Sequence, residues 1–242
     1  MAARILVIGA GIGGLAAALR LAHGGHSVQV VERHGWPGGK MRQIATEAGP
    51  ADAGPTVFTM RAVFERLFEA VGTRLEDHVT LTADPLIARH YWPDGASLDL
   101  FADPDESARA VRDFAGPSEE AAFRGLCRDA ARLFEAFELP VMRSAKPDLV
   151  GILKALLRDP GMARLLAPRT LARELARRFH DPRLAQLFGR YATYVGGSPY
   201  LSPALLMLIW HAESQGVWRV EGGMHALARA VADLAAQKGA EF

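Results

Sequence analysis

The stretch Arg4–Glu32, RILVIGAGIGGLAAALRLAHGGHSVQVVE, decides the fold of this 242-residue chain. It begins with a continuous apolar run, which is typical of a strand buried on both faces of a parallel sheet. Small residues then predict a helix over Leu15–His23, and β-branched residues predict a second strand over Ser27–Val31. Strand, glycine turn, helix and strand within about 30 residues form a βαβ unit, so we predict an α/β fold.

The glycines of this stretch fit the pattern G-x-G-x-x-G, with Gly9, Gly11 and Gly14 at its fixed positions. They allow a tight turn, a close approach of pyrophosphate to the backbone, and packing of the helix on the strand. Glu32 ends the second strand, where a carboxylate accepts hydrogen bonds from ribose hydroxyls and repels the 2′-phosphate of NADP. We therefore predict a dinucleotide site formed by Gly9, Ala10, Gly11, Gly14, Glu32 and Arg33.

Two later segments decide between NAD and FAD. The run GGKMR, Gly38–Arg42, lets the backbone approach the cofactor a second time and adds a cation that can meet phosphate. The run DAGPT, Asp52–Thr56, forms a rigid turn that brings backbone amides to another part of a long cofactor. A plain NAD dehydrogenase leaves both segments unexplained. We predict FAD as the cofactor, with further contacts from Gly39, Lys40, Arg42, Pro55 and Thr56.

Composition sets broad limits. Half of the residues are hydrophobic and the formal net charge is +1, an ordinary globular composition for one large domain or two small ones. Cys127 is the only cysteine, so no intramolecular disulfide can form and a reduced, cytoplasmic setting is expected. Glycines interrupt the apolar N-terminus, unlike a signal peptide. The longest apolar stretch elsewhere, Ala204–Trp210, is far shorter than the ~20 residues of a membrane span.

The pattern changes twice after the βαβ unit. Ile87–Trp92 and Ser97–Phe101 predict a β-hairpin, and Asp105–Arg190 is almost wholly helical in pattern. We predict a Rossmann-like FAD-binding domain of parallel sheet and helices with a mostly helical domain inserted into it. The expected domains are residues 1–82 and 216–242 for FAD binding, and residues 83–215, with the hairpin, for the substrate or a membrane.

Positive charge is concentrated in residues 141–190, which contain 11 Lys/Arg and 4 Asp/Glu. A solvated helical surface and a face for anionic lipid both fit this excess. An apolar helical stripe runs through the same region beside Lys146, Lys154 and Arg158, and it fits either an interfacial membrane helix or a core-packing helix. The stripe consists of Leu149, Ile152, Leu153, Leu156 and Leu157.

For the aromatic residues two interpretations remain open, and the histidines are interpreted as structural residues. The aromatic residues can line a polyene tunnel or belong to the ordinary core; they are Tyr191, Tyr194, Tyr200, Trp210 and Trp218. None of the eight histidines has the spacing of a metal-ligand set, so no metal is predicted. We expect His211-Ala212-Glu213 and His225 to be helix-surface or capping residues.

The motifs resemble those of a known superfamily. Gly9–Arg42 is similar to the FAD-binding signature of the amine oxidases and carotenoid desaturases, although Lys40 stands where the family usually has Arg. The runs SPYLSPA (198–204) and GVWRVEGGM (216–224) resemble blocks of bacterial phytoene-desaturase-type enzymes. The runs DAGPTVFTMR, ARHYWPDGASLDLF and RYATYVGGSPY look most like the hydroxycarotenoid 3,4-desaturase branch of phototrophic bacteria, the methoxyneurosporene and hydroxyneurosporene desaturases.

The resemblance implies an FAD-dependent enzyme of carotenoid biosynthesis that desaturates a lipophilic, acyclic hydroxy- or methoxyneurosporene-type carotenoid at the cytoplasmic membrane surface of a bacterium. It implies no nucleic-acid partner and no metal. The flavin carries the redox chemistry, so no catalytic residue is named. Family members continue well beyond Phe242, so we expect a fragment that binds FAD weakly. The alternatives are a phytoene desaturase, another FAD oxidase of the superfamily, and a non-catalytic lipid carrier of the same fold.

Overall fold

The computed structural model describes residues 1–159, 161, 165 and 168–242. The described residues form two compact units: unit 1 consists of residues 1–84 and 217–242, and unit 2 of residues 85–216. The boundaries expected from the sequence were 82/83 and 215/216. Among the described residues, no helix is long and apolar enough to cross a lipid bilayer.

The regular elements follow in chain order. They are β1 (Arg4–Ile8), α1 (Ile12–His23), β2 (Ser27–Val31), β3 (Gln43–Thr46), β4 (Gly49–Asp52), α2 (Arg61–Glu69), β5 (Leu81–Asp84), β6 (Leu86–Tyr91), β7 (Ser97–Phe101), α3 (Pro104–Ala115), α4 (Pro117–Phe137), α5 (Leu149–Arg158), α6 (Leu171–Arg178), α7 (Pro182–Gly189), α8 (Leu208–Ser214), β8 (Val217–Val220), α9 (Met224–Gln237) and β9 (Ala240–Glu241). Short 3-10 turns lie at Leu75–Asp77, Arg190–Val195 and Ala204–Met207, and a π turn at Glu138–Met142.

Unit 1 is built on a parallel sheet of order β1-β2-β9. β1 and β2 pair in register from Arg4↔Ser27 to Ile8↔Val31, as the βαβ pattern predicts. The buried faces of α1 and α9 join the sheet in one apolar core, which includes Leu15, Leu19, Val28, Val30 and Leu227. The α/β fold expected from the sequence is therefore confirmed.

Two antiparallel strand pairs complete unit 1, and the sequence analysis did not predict them. β3 and β4 form a hairpin from Gln43↔Asp52 to Thr46↔Gly49. β5 pairs with β8, from Leu81↔Val220 to Asp84↔Val217, and thereby joins the two chain segments of unit 1. A pairing over so long a separation in sequence leaves no local pattern that could reveal it.

Unit 2 contains the expected hairpin and the helical region. β6 and β7 pair from Leu86↔Phe101 to Tyr91↔Ser97, and the Asp94 side chain accepts a hydrogen bond from Ala96 N across the turn at 3.0 Å. An aromatic core that includes Phe123, Phe188 and Trp210 holds the helices together.

The apolar stripe of residues 149–157 is only partly described. Ile152 is half-buried, whereas Leu153 and Leu157 are exposed, and the side chains of Leu149 and Leu156 lie outside the described part of the structure. The segment after Pro203 is divided between a 3-10 turn, Ala204–Met207, and α8.

Candidate dinucleotide site

The glycine turn between β1 and α1 is shaped by close packing on one side and open space on the other. Gly9 has φ of +96°, a conformation that favours glycine, and its N–H donates to Val31 O at 2.8 Å. A Cβ on Gly14 would lie 2.1 Å from Gly9 O, so only glycine lets α1 begin this close to the strand. A Cβ on Gly11 would meet no atom within 4 Å. The backbone at Gly11 is therefore open to the approach of a ligand.

Glu32 is held at the end of β2 by backbone donors. Its Oε2 accepts from Ala10 N at 2.8 Å, and its Oε1 accepts from His34 N at 3.0 Å. These hydrogen bonds, that of Ala10 first, lower the pKa of the Glu32 carboxyl below its ordinary value of 4.5. The group is thus a carboxylate at neutral pH. Each of its oxygens keeps a further lone pair, so both can accept from sugar hydroxyls.

The glycine pair 38–39 packs against the first glycine turn. Gly38 N donates to Ala10 O at 2.7 Å, and a Cβ on Gly39 would lie 3.0 Å from Gly11 Cα. Both glycines have positive φ, +116° and +59°. The sequence analysis explained this pair by a second backbone approach to the cofactor. The structure gives the pair a more immediate role, because it lets two loops touch.

The segment 52–55 closes against the same loop. Ala53 N donates to Arg42 O at 2.8 Å, and a Cβ on Gly54 would lie only 1.8 Å from Lys40 O. The Asp52 side chain points to the other segment of unit 1, where its Oδ2 accepts from Met224 N at 2.8 Å. Asp52 therefore caps the first residue of α9, a role that its place in the DAGPT run did not indicate.

A cavity of about 630 Å³ lies among these loops. Six of the residues predicted to bind the cofactor line it: Glu32, Arg33, Gly39, Lys40, Arg42 and Pro55. The remaining predicted residues before Glu32 form the turn that is hydrogen-bonded to its carboxylate through Ala10; they are Gly9, Ala10, Gly11 and Gly14. Thr56 is exposed and directly follows the lining residue Pro55. His34 and Trp36, which the sequence analysis missed, also line the cavity, as do Ala53 and Gly54 of the DAGPT run.

The cavity and the turn have the chemistry that a dinucleotide needs. The N-terminus of α1 has no side-chain cap and no acidic residue in its first turn, so its N–H groups and partial positive charge are available to phosphate. Arg33, Lys40 and Arg42 bring cations to the cavity wall, and Glu32 brings the ribose acceptor. His34 and Trp36 stack with ring centroids 5.1 Å apart and add an aromatic surface. These residues fit a dinucleotide.

His225 was expected at a helix surface or cap, and it lies in the first turn of α9. Its ring is half-buried, and Nδ1 donates to Met41 O at 2.9 Å. The contact links the start of α9 to the 38–41 loop. Such a contact depends on tertiary packing and cannot be read from the sequence around His225.

Glu213 was also expected at a helix surface or cap, and it is buried in unit 2 with 6% of its surface exposed. Three donors meet its carboxylate: Arg190 Nη2 at 2.5 Å, the Tyr191 hydroxyl at 2.7 Å and the Tyr194 hydroxyl at 2.6 Å. Burial raises the pKa of Tyr191 well above 10, so it stays a hydrogen-bond donor. Of the aromatic candidates in this unit, Tyr191 and Trp210 are core residues, whereas Tyr194 and Tyr200 are exposed.

Comparisons with known proteins agree with the site. The family model of flavin containing amine oxidoreductases matches residues 12–242. The chain is 53% identical to the hydroxyneurosporene desaturase of Rhodobacter capsulatus, and the match covers 98% of this chain and 48% of the relative. The corresponding desaturase of Rubrivivax gelatinosus is 48% identical over 98% of this chain and 46% of the relative.

The chain thus spans about half the length of these curated relatives. Among solved structures, cyclohexylamine oxidase from Brevibacterium oxydans has the same fold, with a TM-score of 0.60 at 19% identity over 100% of this chain and 50% of the oxidase. The glycine turn, the carboxylate after β2 and the family match over residues 12–242 lead to one assignment. This chain belongs to the flavin containing amine oxidoreductase family.

Proposed function

We propose that the protein acts as an FAD-dependent carotenoid desaturase of hydroxyneurosporene-type substrates, in bacterial carotenoid biosynthesis. The observation that carries the proposal is 53% identity to a hydroxyneurosporene desaturase over 98% of this chain. The intact glycine turn and Glu32 support it further, since a lipid carrier of this fold has no need of a dinucleotide site.

The chain's own residues would divide the binding of FAD among them. Glu32 would accept from the ribose hydroxyls, and the N–H groups at the start of α1 would bind the pyrophosphate next to Gly11. Lys40 and Arg42 would place positive charge beside the phosphates. When bound, FAD would supply the acceptor for a hydride from one carbon of the carotenoid, and loss of a proton from the neighbouring carbon to solvent would complete the change of the C–C single bond into a double bond.

The test of activity uses cells that accumulate one carotenoid each. Residues 1–242 are expressed alone and also joined to the remaining part of the R. capsulatus relative, which restores the family's length. We expect hydroxyneurosporene to lose two hydrogens, seen by mass spectrometry and a red-shifted absorption band. Conversion of phytoene alone would contradict the branch, and conversion of no carotenoid would contradict the substrate class.

A matched pair of variants tests the cofactor site without any turnover. Gly11→Val places a side chain in the open space beside the turn, whereas Gly13→Ala adds a methyl group two residues later, also in open space. We expect Gly11→Val to lose flavin fluorescence in the purified protein and Gly13→Ala to retain what the unaltered chain retains. Equal flavin content in the two variants would contradict the assignment of Gly11.

We also propose that α5 and the residues before it meet an anionic membrane surface. Leu139, Val150, Leu153 and Leu157 are exposed apolar side chains, with exposed fractions from 56% to 73%. The neighbouring Lys146, Lys154 and Arg158 are exposed as well. Apolar side chains flanked by cations favour adsorption to an interface, and each basic residue adds about 1 kcal/mol near anionic lipid.

Vesicle binding tests this second proposal. We expect the chain to bind vesicles that contain phosphatidylserine in preference to neutral vesicles, and to dissociate as salt screens the charges. Lys146→Glu with Lys154→Glu should weaken binding at least tenfold. Arg66→Glu, an exposed change on α2 of unit 1, is the control. Equal binding of both variants would refute a role for this surface.

A further inference from the structure

An exposed tryptophan faces the cavity of the dinucleotide site, and the binding of ribose and phosphate gives it no role. Trp36 lies in the loop after β2 and lines the cavity of about 630 Å³ together with Glu32 and His34. Of its surface, 47% is exposed. A single exposed aromatic residue is ordinary on a protein surface. An aromatic ring that is half exposed in a binding cavity, by contrast, offers an apolar face to the ligand that occupies the cavity.

Two contacts hold this ring near the carboxylate of the site. The imidazole of His34 stacks on the indole of Trp36, with ring centroids 5.1 Å apart and planes inclined by 18°. His34 is itself held at its backbone and at its ring, because its N–H donates to Glu32 Oε1 at 3.0 Å and its Nε2 accepts from Arg33 Nε at 3.0 Å. The stacked pair therefore forms a wall of the cavity that begins at the Glu32 carboxylate.

The hydrogen bonds of Glu32 give the site a direction. Its Oε2 accepts from Ala10 N at 2.8 Å, on the side of the glycine turn, whereas its Oε1 accepts from His34 N, on the side of the stacked pair. In a dinucleotide, the ribose of the adenosine half carries pyrophosphate at one end and the base at the other. With the pyrophosphate at the glycine turn and the ribose hydroxyls at Glu32, the base is directed toward His34 and Trp36.

As a refinement that rests on the proposed function, we propose that Trp36, supported by His34, stacks on the adenine base of FAD. Adenine is planar and uncharged, and a base of this kind is stabilised by stacking on an aromatic side chain. The isoalloxazine ring of FAD is attached beyond the pyrophosphate, so the same geometry directs it away from Trp36. Trp36 therefore adds affinity for the cofactor and takes no part in the redox step.

Titrations with fragments of the cofactor test this inference without any turnover. Isothermal titration calorimetry with the full chain measures the affinities for ADP, which carries adenine, ribose and two phosphates, and for inorganic pyrophosphate, which carries the phosphates alone. We expect Trp36→Leu to weaken ADP binding about tenfold, within the range for stacking of one base on an aromatic ring, and to leave pyrophosphate binding unchanged. Trp36→Phe keeps an aromatic face and should retain most of the affinity for ADP. The control is Trp92→Phe, a change at a half-buried tryptophan of unit 2, and it should bind ADP as the unaltered chain does.

Nuclear magnetic resonance gives a second readout at the tryptophan itself. The chain has four tryptophans, and the indole N–H resonance that is missing in Trp36→Leu belongs to Trp36. ADP should shift this resonance, whereas riboflavin, which carries the isoalloxazine ring but no adenine, should not. Circular dichroism confirms that each variant is folded.

The possible outcomes separate this inference from the proposed function. Equal ADP affinities of Trp36→Leu and the unaltered chain, or a shift of the Trp36 resonance by riboflavin instead of ADP, overturn the adenine contact and leave the desaturase proposal intact. Equal losses of ADP and pyrophosphate binding in Trp36→Leu also overturn it, because they would show that Trp36 supports the fold of the loop and not the base. If the unaltered chain binds no ADP, even when joined to the remaining part of the R. capsulatus relative, the FAD-dependent function itself is overturned and the adenine contact with it.

Discussion

Replacing Gly14 by alanine tests the central packing contact of the nucleotide turn. The added methyl carbon would lie 2.1 Å from Gly9 O and 3.4 Å from a side-chain carbon of Val7, so α1 would have to move by nearly 1 Å. Gly13→Ala is the matched control, because it adds the same group on the same turn of helix where no atom lies within 4 Å. The two variants differ only in what the methyl group meets.

The magnitude follows from two opposing effects. Overpacking against backbone costs about 3 kcal/mol, the upper part of the usual range, because a carbonyl cannot rotate away. Alanine gains up to about 1 kcal/mol over glycine as a helix former. We expect Gly14→Ala to lose about 2 kcal/mol of unfolding free energy and about 4–8 °C in Tm for a chain of this size. Gly13→Ala should gain about 0.5–1 kcal/mol.

Urea unfolding followed by circular dichroism gives the unfolding free energies, and amide hydrogen exchange shows which part of the chain is destabilised. Faster exchange in Gly14→Ala should appear in peptides from residues 1–84 and 217–242, which form unit 1, and should leave residues 85–216 unchanged. Equal stabilities of Gly13→Ala and Gly14→Ala would refute the contact. Loss of protection in unit 2 alone would show that the reasoning had assigned the strain to the wrong place.

Four further substitutions have definite expected outcomes. Glu32 has a lowered pKa, so its ionised form stabilises the fold above pH 4.5 and that contribution disappears as pH falls through the lower folded value. In Glu32→Gln, the urea midpoint should therefore fall less as the pH is lowered through this range. In Glu47→Gln, which removes an exposed carboxylate, the midpoint should fall as it does in the unaltered chain. Tyr191→Phe should cost about 1–2 kcal/mol in urea unfolding. Glu213→Ala should cost about 3–5 kcal/mol, because it leaves the half-buried Arg190 cation and two tyrosine hydroxyls without their acceptor. Asp52→Ala should cost about 1 kcal/mol and speed amide exchange in the first turn of α9, and unchanged exchange there would contradict the cap.

The sequence was informative wherever the deciding interactions are local. The strands β1 and β2 and the helix between them follow from period and glycine spacing within one short stretch, and their predicted bounds differ from the structure by three residues at most. The hairpin β6–β7 was equally accessible, since its turn and both strands adjoin one another. Local pattern thus suffices for the elements that define the fold class.

The sequence was uninformative wherever the partner of a residue lies far along the chain. Asp52 lies in a run that reads as a turn, yet its carboxylate caps a helix that begins at Met224. Glu213 follows a histidine on a short helix and resembles a surface carboxylate, yet three donors from Arg190–Tyr194 bury it. In both cases the charge is stabilised only by tertiary donors, and periodicity carries no information about them.

The glycines of the site show the same difference between local pattern and tertiary contact. The pattern G-x-G-x-x-G fixes their spacing but does not say which of them face empty space and which face protein. Gly14, Gly39 and Gly54 are required by neighbouring backbone at 3.0 Å or less, whereas Gly11 faces no atom within 4 Å. Substitutions at the first group should therefore act on folding, and a large side chain at Gly11 should act on the ligand. A dinucleotide site therefore combines glycines that folding requires with a glycine that ligand binding requires. Only the space around each Cα shows which glycine serves which purpose.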